Sequence, residues 1–185
     1  MVGEIRDAET ADIAVQAALT GHLILSSLHT NDAPTAIPRF FDLNVLPYLV
    51  GSVLDLIVAQ RLVRKICPSC IYSYEADESI TSVIESQRHE LGIPSEEDIA
   101  IPKTIYRGKG CAMCGMTGYL GRLGIFEVLA VNDAIKKIVG SERFDIDALR
   151  REARRNGMVT MFEDGLRKVE LARTTIDEVL RVIRE

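Results

Sequence analysis

Four cysteines are the residues in this sequence whose types and spacing point most directly to a chemical role. They form two Cys-x-x-Cys pairs, with 40 residues between Cys70 and Cys111. Each pair can present two thiolates to one ion, and two pairs complete a tetrahedral site with no open position. Four thiolates favour zinc, with a single iron as the alternative. The sequence therefore predicts a structural metal site at Cys67, Cys70, Cys111 and Cys114.

Apolar segments near the start of the chain predict a second group of positioned polar residues. The spacing of small apolar residues over 8–19 predicts a helix, and the run His22–His29 predicts a strand. Met1–Val2 fits the end of a preceding strand. Strand, helix and strand in this order predict a βαβ unit with parallel strands. Ligands of such sheets bind beyond the carboxyl ends of the strands.

Glu4 and His29 fall at the carboxyl ends of the two predicted strands, whereas His22 precedes its strand. A carboxylate at such a point can orient and partly deprotonate an attacking water, as phosphoryl transfer requires. A histidine at the next strand end can contact phosphate. Glu4 can equally be a charge that stabilises the N-terminus of the following helix. The residue types alone leave both interpretations open.

Composition restricts the classes of protein to consider. The 185 residues are 47% hydrophobic and 26% charged, with a net charge of −5, which argues against general nucleic-acid binding. No apolar run approaches 18 residues and no secretion signal opens the chain, so we expect neither a membrane span nor export. Cysteines paired for a metal fit a reducing compartment, so we predict a cytoplasmic protein.

The middle of the chain predicts two more helices and a spacer. One helix is expected to start within 31–34, with Asp32 as its candidate cap, and to run to about Leu43. Another opens at Pro47 and carries Arg61, Arg64 and Lys65 in its last turns. These arginines are either capping and solubilising charges or contacts within or between subunits. The polar stretch 72–105 is expected to be a spacer with one amphipathic helix over 80–91 that exposes His89.

The last third predicts a strand and a group of helices. The segment Gly124–Leu129 is expected to be a strand, in which Glu127 is either a pairing charge near the site or part of an exposed face. An arginine cluster over 150–155, interleaved with acids that include Glu142, predicts a solvated or subunit-facing surface. Short helices are expected from Asn132 or Asp133 to Val139, from Asp145 onward, over 162–171 and, through a capping box at Thr175, at the end of the chain.

An ordered series of segments carries a family resemblance over nearly the whole chain. The segments are GEIRDAET (3–10), ALTGHLILSSLHTNDA (18–33), AQRLVR (59–64), the two Cys-x-x-Cys pairs, GRLGIFE (121–127) and TTIDEVL (174–180). Together they resemble the secretion ATPases of type II secretion and type IV pilus assembly. The ordered series is far more specific than any one of its motifs.

The resemblance implies a fold and site roles. It implies an α/β fold with part of a RecA-like P-loop ATPase core, a tetracysteine zinc module and a helical C-terminal bundle. Their expected bounds are 1–66, 67–115 and 116–185. Glu4 matches the glutamate that closes the Walker B segment and helps to activate water, and His22 and His29 match histidines around the nucleotide phosphates. Arg6 belongs to the same motif and is expected at the nucleotide.

The resemblance also implies cofactors and partners. We expect structural zinc, and ATP with Mg²⁺ in the complete protein. We also expect a homo-hexamer docked on an inner-membrane platform protein and its cytoplasmic docking domain. Membrane association is then peripheral and acts through those partners. No nucleic acid is expected, and pilus assembly and secretion are not distinguished.

One departure from the family pattern shapes the expectation for activity. The sequence contains no Gly-x-x-x-x-Gly-Lys-[Ser/Thr], the loop whose amides and lysine hold phosphates. We therefore expect the C-terminal half of a longer protein, with little or no ATPase activity of its own. The alternative from another class is a non-catalytic zinc-ribbon interaction module.

Overall fold

The computed structural model describes residues 1–90, 102–141 and 143–184. Helices and short sheets build these parts of the chain, an α/β arrangement. Much of the second half of the predicted spacer lies outside the described residues. So do Leu91, the last residue of the predicted amphipathic helix, and Glu142 of the predicted arginine-rich surface.

Among the described elements, three helices precede the first strand and four follow the last one. The helices are α1 (Ala8–Leu19), α2 (Ala36–Asp42), α3 (Pro47–Val53), α4 (Glu78–Glu90), α5 (Asp133–Val139), α6 (Ile146–Arg155), α7 (Met161–Glu170) and α8 (Ile176–Arg184). The strands are β1 (Leu56–Ile66), β2 (Ile71–Glu75), β3 (Thr104–Gly108) and β4 (Tyr119–Ala130). Strand β1 pairs with β4, and β2 pairs antiparallel with β3.

Packing groups the chain into two compact units, each made of two separate stretches. Unit 1 consists of Met1–Gln60 and Phe126–Met161, and unit 2 of Arg61–Ile125 and Phe162–Glu185. Unit 1 buries an apolar core that includes Ile37, Leu129, Ile135 and Leu149. Unit 2 buries Ile84, Ile105, Phe162, Leu166 and Val179. The sequence-based division at 1–66, 67–115 and 116–185 stays a prediction about domains.

The first predicted helix is confirmed, but the two strands predicted around it are not. Residues 1–6 and 22–30 are extended without forming a strand. The backbone N–H of Val2 donates to the oxygen of Leu25, and that of Ile5 to the oxygen of Ser27, each at 2.9 Å. The two segments therefore run in the same direction, as predicted for parallel strands. Two bonds are too few for a ladder, which needs a regular series.

The prediction of one helix from Pro47 to Lys65 is wrong in its second half. Helix α3 begins at Pro47 and ends at Val53, and the chain then continues as strand β1. Leu54 already has extended backbone angles, φ −84° and ψ 124°. The apolar residues of this stretch fit either period, and pairing with the distant strand β4 selects the strand.

A turn delays the start of α2. The sequence predicts a helix from Asp32, but α2 begins at Ala36. Asp32 Oδ1 accepts the backbone N–H of Thr35 at 2.8 Å, which closes a local turn instead of a helix cap. This turn follows His29 directly.

The remaining helix predictions are confirmed. The side chains of Asn132 and Asp145 accept backbone N–H groups at the starts of α5 and α6. Thr175 Oγ1 does the same for the N–H of Glu178 at the start of α8, at 3.3 Å. Helix α4 covers the predicted amphipathic segment, and His89 is exposed as expected. Capping chemistry is local, so these helix starts can be read from sequence.

Candidate functional site

Glu4 and His29 are held at the same end of two neighbouring extended segments. The two backbone bonds from Val2 and Ile5 fix those segments side by side. Asp7 then ends the first segment, because its carboxylate accepts the N–H of Thr10 at 2.8 Å and caps helix α1. The predicted meeting of the two segment ends is therefore present, although neither segment is a formal strand.

Glu4 is the centre of a small charged cluster. His29 Nε2 lies 2.7 Å from Glu4 Oε2, and Arg6 Nη2 lies 2.7 Å from Glu4 Oε1. Of the three side chains Glu4 is the least exposed, at 34%, against 78% for His29 and 70% for Arg6. The structure thus brings together three of the residues that the sequence singles out.

The cluster defines what Glu4 can do chemically. Hydrogen bonds from His29 first, and from Arg6 next, hold the pKa of Glu4 below its ordinary value of 4.5. A carboxylate with a lowered pKa is ionised at neutral pH and a weaker base. It is therefore better suited to accept a hydrogen bond from a water and orient it than to abstract its proton outright.

His22 does not join this cluster. Its Nδ1 lies 3.1 Å from Thr20 Oγ1 and 3.2 Å from the backbone oxygen of Ala17, at the C-terminal end of α1. His22 is exposed. The residue begins the second extended segment, whereas His29 stands near its end, so the extended chain between them separates the two rings. Among the described contacts, His29 alone of the two histidines touches Glu4.

A cavity of about 390 Å³ lies in unit 1 beside these segments. Its walls are mostly apolar side chains of α1 and of residues 53–59, with Ser26, Ser27, Thr30 and Asn31 on the polar side. Among the described residues that line it there is no lysine or arginine. Phosphate sites need cations or aligned amides, so the cavity is a poor candidate for the phosphates themselves.

Glu127 is a buried polar residue whose place the sequence left open. Its exposed fraction is 5%. One carboxylate oxygen accepts the N–H of Ala33 at 2.9 Å and the other accepts the N–H of Met161 at 3.3 Å. A signal for this burial was present, because Glu127 shares the inward face of β4 with Ile125 and Leu129, both fully buried.

The four cysteines come together in unit 2. Their Sγ atoms all lie within 4.8 Å of one another, and none is in a disulfide. The separations of Cys67–Cys111, Cys70–Cys114 and Cys111–Cys114 are 3.9, 3.9 and 3.7 Å. A tetrahedral site with metal–sulfur bonds near 2.3 Å requires sulfur atoms about 3.8 Å apart. The predicted cluster is therefore close enough to bind one metal ion.

Backbone N–H groups favour the thiolate form of one cysteine in the cluster, Cys114. The N–H groups of Cys111 and Gly118 point to Cys114 Sγ at 3.2 and 3.3 Å. Burial raises the pKa of the Cys114 thiol, but these two N–H groups and the neighbouring thiols outweigh it and bring the value to about 6. Burial instead raises the pKa of Cys70 to about 11. One ligand is thus ready to bind a cation at neutral pH.

Glycines allow the two cysteine-containing loops to approach each other closely. An added Cβ on Gly108 would lie 2.1 Å from the backbone oxygen of Gly118, and one on Gly110 would lie 2.7 Å from that of Met116. Gly110 and Gly118 also have positive φ, at 89° and 78°. Side chains at these positions would push the loops apart.

Arg64 forms a contact within the chain. Its guanidinium bonds Glu178 of α8 and lies 4.2 Å above the ring of Tyr119. The sequence left open whether Arg64 is a solubilising charge or a contact residue. The structure shows that it makes a contact within the chain. The arginines of α6 are similarly paired, since Arg150 and Arg151 contact Asp32 and Asp145.

The fold of the chain resembles those of two solved structures. The crystal structure of the pilus retraction motor PilT with bound ADP aligns with a TM-score of 0.60 and 22% identity, over 98% of this chain and 39% of that one. The Legionella pneumophila ATPase DotB aligns with a TM-score of 0.63 and 18% identity, over 100% and 38%. These likenesses show the fold.

Sequence comparison identifies the family. Residues 1–181 match the family described as Type II/IV secretion system protein, and the chain belongs to that family. It is 45% identical over 185 residues to the type II secretion system protein E of Pseudomonas aeruginosa, covering 100% of this chain and 34% of that protein. It is 43% identical over 183 residues to the type IV pilus assembly ATPase TfpB of Acinetobacter baylyi, covering 99% and 30%.

The chain matches only part of its relatives, and its described helices are short. The chain spans about a third of the length of these curated relatives. In the described parts of the chain, none of the helices combines the length and the apolar character that crossing a bilayer requires. The family and the fold are established by these comparisons.

Proposed function

We propose that this chain is the C-terminal part of an ATP-hydrolysing motor that drives assembly of pilin-like subunits in secretion or pilus formation. The contact that carries the proposal is the 2.7 Å pair of His29 and Glu4, in a chain that belongs to the secretion family throughout. Unit 1 would be part of a RecA-like core. In the complete protein ATP and Mg²⁺ would bind where Glu4, Arg6 and His29 meet.

Each residue of the cluster has a distinct proposed role. Glu4, ionised and held by two basic groups, would orient the attacking water. Arg6 and His29 are both highly exposed, so they are free to turn toward nucleotide phosphates. Magnesium would supply charge neutralisation on the phosphates. His22 is proposed to contact the phosphates only after a rearrangement, since it lies apart from Glu4 in this structure.

The cysteine cluster is proposed to hold structural zinc. The sulfur separations fit one tetrahedral ion, and all four ligands come from protein. No position is left for substrate or water. Zinc would therefore fix the loops of unit 2 and take no part in hydrolysis.

The assembly is proposed to be a homo-hexamer at the cytoplasmic face of the inner membrane. Docking would occur through a platform protein and its cytoplasmic docking domain, without nucleic acid. The family membership supports this arrangement. No P-loop occurs in these 185 residues, so we propose that the isolated chain hydrolyses little or no ATP.

The test is ATP hydrolysis by a chimera. This chain would replace the matching third of the Pseudomonas aeruginosa relative, whose other residues stay unchanged. We expect the chimera to release phosphate from ATP, and Glu4→Gln to slow that release by roughly 10²–10⁴-fold. Glu9→Gln is the matched control, because Glu9 is an exposed acid five residues away on α1. Equal turnover by the Glu4→Gln and Glu9→Gln chimeras would refute the role of Glu4.

A further inference from the structure

Glu127 joins two parts of unit 1 that are far apart in sequence. Its two oxygens accept the N–H of Ala33, 94 residues away, and the N–H of Met161, 34 residues away. Both amides belong to buried residues: Ala33 lies in the turn before α2, and Met161 begins α7. The carboxylate therefore holds two distant segments of backbone directly, through their N–H groups.

The environment of Glu127 is costly for a charge. Burial raises its pKa above the ordinary value, the nearby carboxylate of Asp32 adds to the rise, and Arg150 and the two amides oppose it. Arg150 itself bonds Asp32 Oδ2 at 3.1 Å. A buried carboxylate in such a place is tolerated only because its hydrogen bonds are well made.

The amide of Ala33 belongs to the turn that follows His29. In this turn Thr30 Oγ1 donates to the backbone oxygen of Asp32 at 3.1 Å, and Asp32 Oδ1 accepts the N–H of Thr35 at 2.8 Å. Arg150 holds the other oxygen of Asp32. The turn is thus braced internally, and Glu127 anchors it to strand β4. What fixes the turn also fixes the residue before it, His29.

We propose that Glu127 is a positioning residue that sets the placement of His29 against Glu4 by anchoring the turn at Ala33. Its consequence for catalysis rests on the proposed function, but the placement itself does not. GRLGIFE then contributes to the site through its last residue, which touches neither His29 nor Glu4 in the contacts described.

The test is the state of the His29–Glu4 pair in Glu127→Gln, measured by NMR on the 185-residue chain. A glutamine keeps the size and one acceptor, but its NH₂ group cannot accept the second N–H. We expect the His29 ring signals to shift and the pKa of Glu4 to rise toward its ordinary value. The rings of His22 and His89 are internal controls that should stay unchanged, since the sequence has only three histidines.

Glu178→Gln is the matched control for a general loss of stability. Glu178 is also a buried glutamate that accepts a backbone N–H, but it lies in unit 2 and contacts Arg64. We expect both variants to melt earlier and Glu127→Gln alone to move the His29 and Glu4 signals. If both variants move those signals equally, or if neither does, the positioning role is wrong.

A measurement on the unmodified chain covers the case in which Glu127→Gln does not fold. The amide protons of Ala33 and Met161 should exchange slowly, and both should shift together when the Glu127 carboxyl titrates. Rapid exchange of both amides would overturn the anchor directly. These outcomes are separate from the chimera experiment, because an inactive chimera with an intact NMR response would reject the proposed function and leave the anchor standing.

Discussion

Arg64 Nη2 lies 2.6 Å from Glu178 Oε1, although 114 residues separate them. The second oxygen of Glu178 also accepts the backbone N–H of Arg64, so one carboxylate bonds both the backbone and the side chain of β1. Glu178 is 2% exposed and also bonds Arg181. A single acid thus joins the start of α8 to the strand that leads to the first cysteine pair.

Replacing Glu178 by glutamine should destabilise the chain. The variant loses charge-assisted bonds to arginines that stay partly exposed, so we expect the free energy of unfolding to fall by roughly 1–3 kcal/mol. Urea unfolding followed by circular dichroism measures the change. Glu170→Gln, an exposed acid at the end of α7, is the control and should have little effect.

The pH dependence of stability should reveal the same residue. Burial raises the pKa of Glu178, but the bonds from Arg64 and Arg181 outweigh it and lower the value to about 2, below the ordinary 4.5. Its contribution is therefore complete above pH 4.5 and is lost as the pH falls from 4.5 toward 2. Melting temperatures over this range should fall less steeply for Glu178→Gln. Parallel curves for the two proteins would contradict the assignment.

The contribution of Glu127 to stability should depend on pH in the opposite direction from that of Glu178. Its raised pKa means that the folded state binds a proton more readily than the unfolded state. It therefore adds stability below its ordinary pKa, and this contribution is lost as the pH rises through the raised value. In Glu127→Gln this loss of stability with rising pH should be absent. Melting temperatures of the variant and the unmodified chain, compared at acid and neutral pH, measure it.

The His29–Glu4 contact predicts a measurable change in Glu4. Replacing His29 by glutamine should let the pKa of Glu4 rise toward 4.5, because the largest cause of its lowering is removed. NMR titration of the carboxyl carbon measures the value. His22→Gln is the control, and an equal rise in that variant would mean that the contact with His29 has no special effect.

Metal content tests the cysteine cluster. Protein purified without added metal should contain about one zinc atom per chain and be colourless. Cys114→Ser should lower both the metal content and the melting temperature, whereas Ser69→Ala, between two ligands, should change neither. Iron in place of zinc would show as visible absorption with metal analysis to match. If the purified protein contains no metal and Cys114→Ser leaves the melting temperature unchanged, the metal site is rejected.

Close packing between α7 and α8 gives a prediction about stability alone. A Cβ on Gly165 would meet Val179 Cγ1 at 2.5 Å, so Gly165→Ala should cost roughly 1–3 kcal/mol by overpacking. Adding Val179→Ala makes room for the new methyl group. The double variant should therefore be more stable than the sum of the two single effects predicts, and strict additivity would show that the two side chains do not compete for space.

Local chemistry in the sequence determined much of this protein. Helix starts at Asn132, Asp145 and Thr175 follow from side chains that bond amides two or three residues away. Each Cys-x-x-Cys loop brings two thiols together by itself, so each half of the cysteine cluster is also local. The ordered motifs also suffice to identify the family, which residues 1–181 match.

Tertiary structure decided what depends on distant partners. Residues 56–66 suit a helix or a strand, and pairing with β4 makes them β1. The structural roles of the Glu127 and Glu178 carboxylates depend on amides and a guanidinium that the fold brings to them from far along the chain. The physical reason is that periodicity and capping act over a few residues, whereas burial and long-range hydrogen bonds are set by the packed chain as a whole.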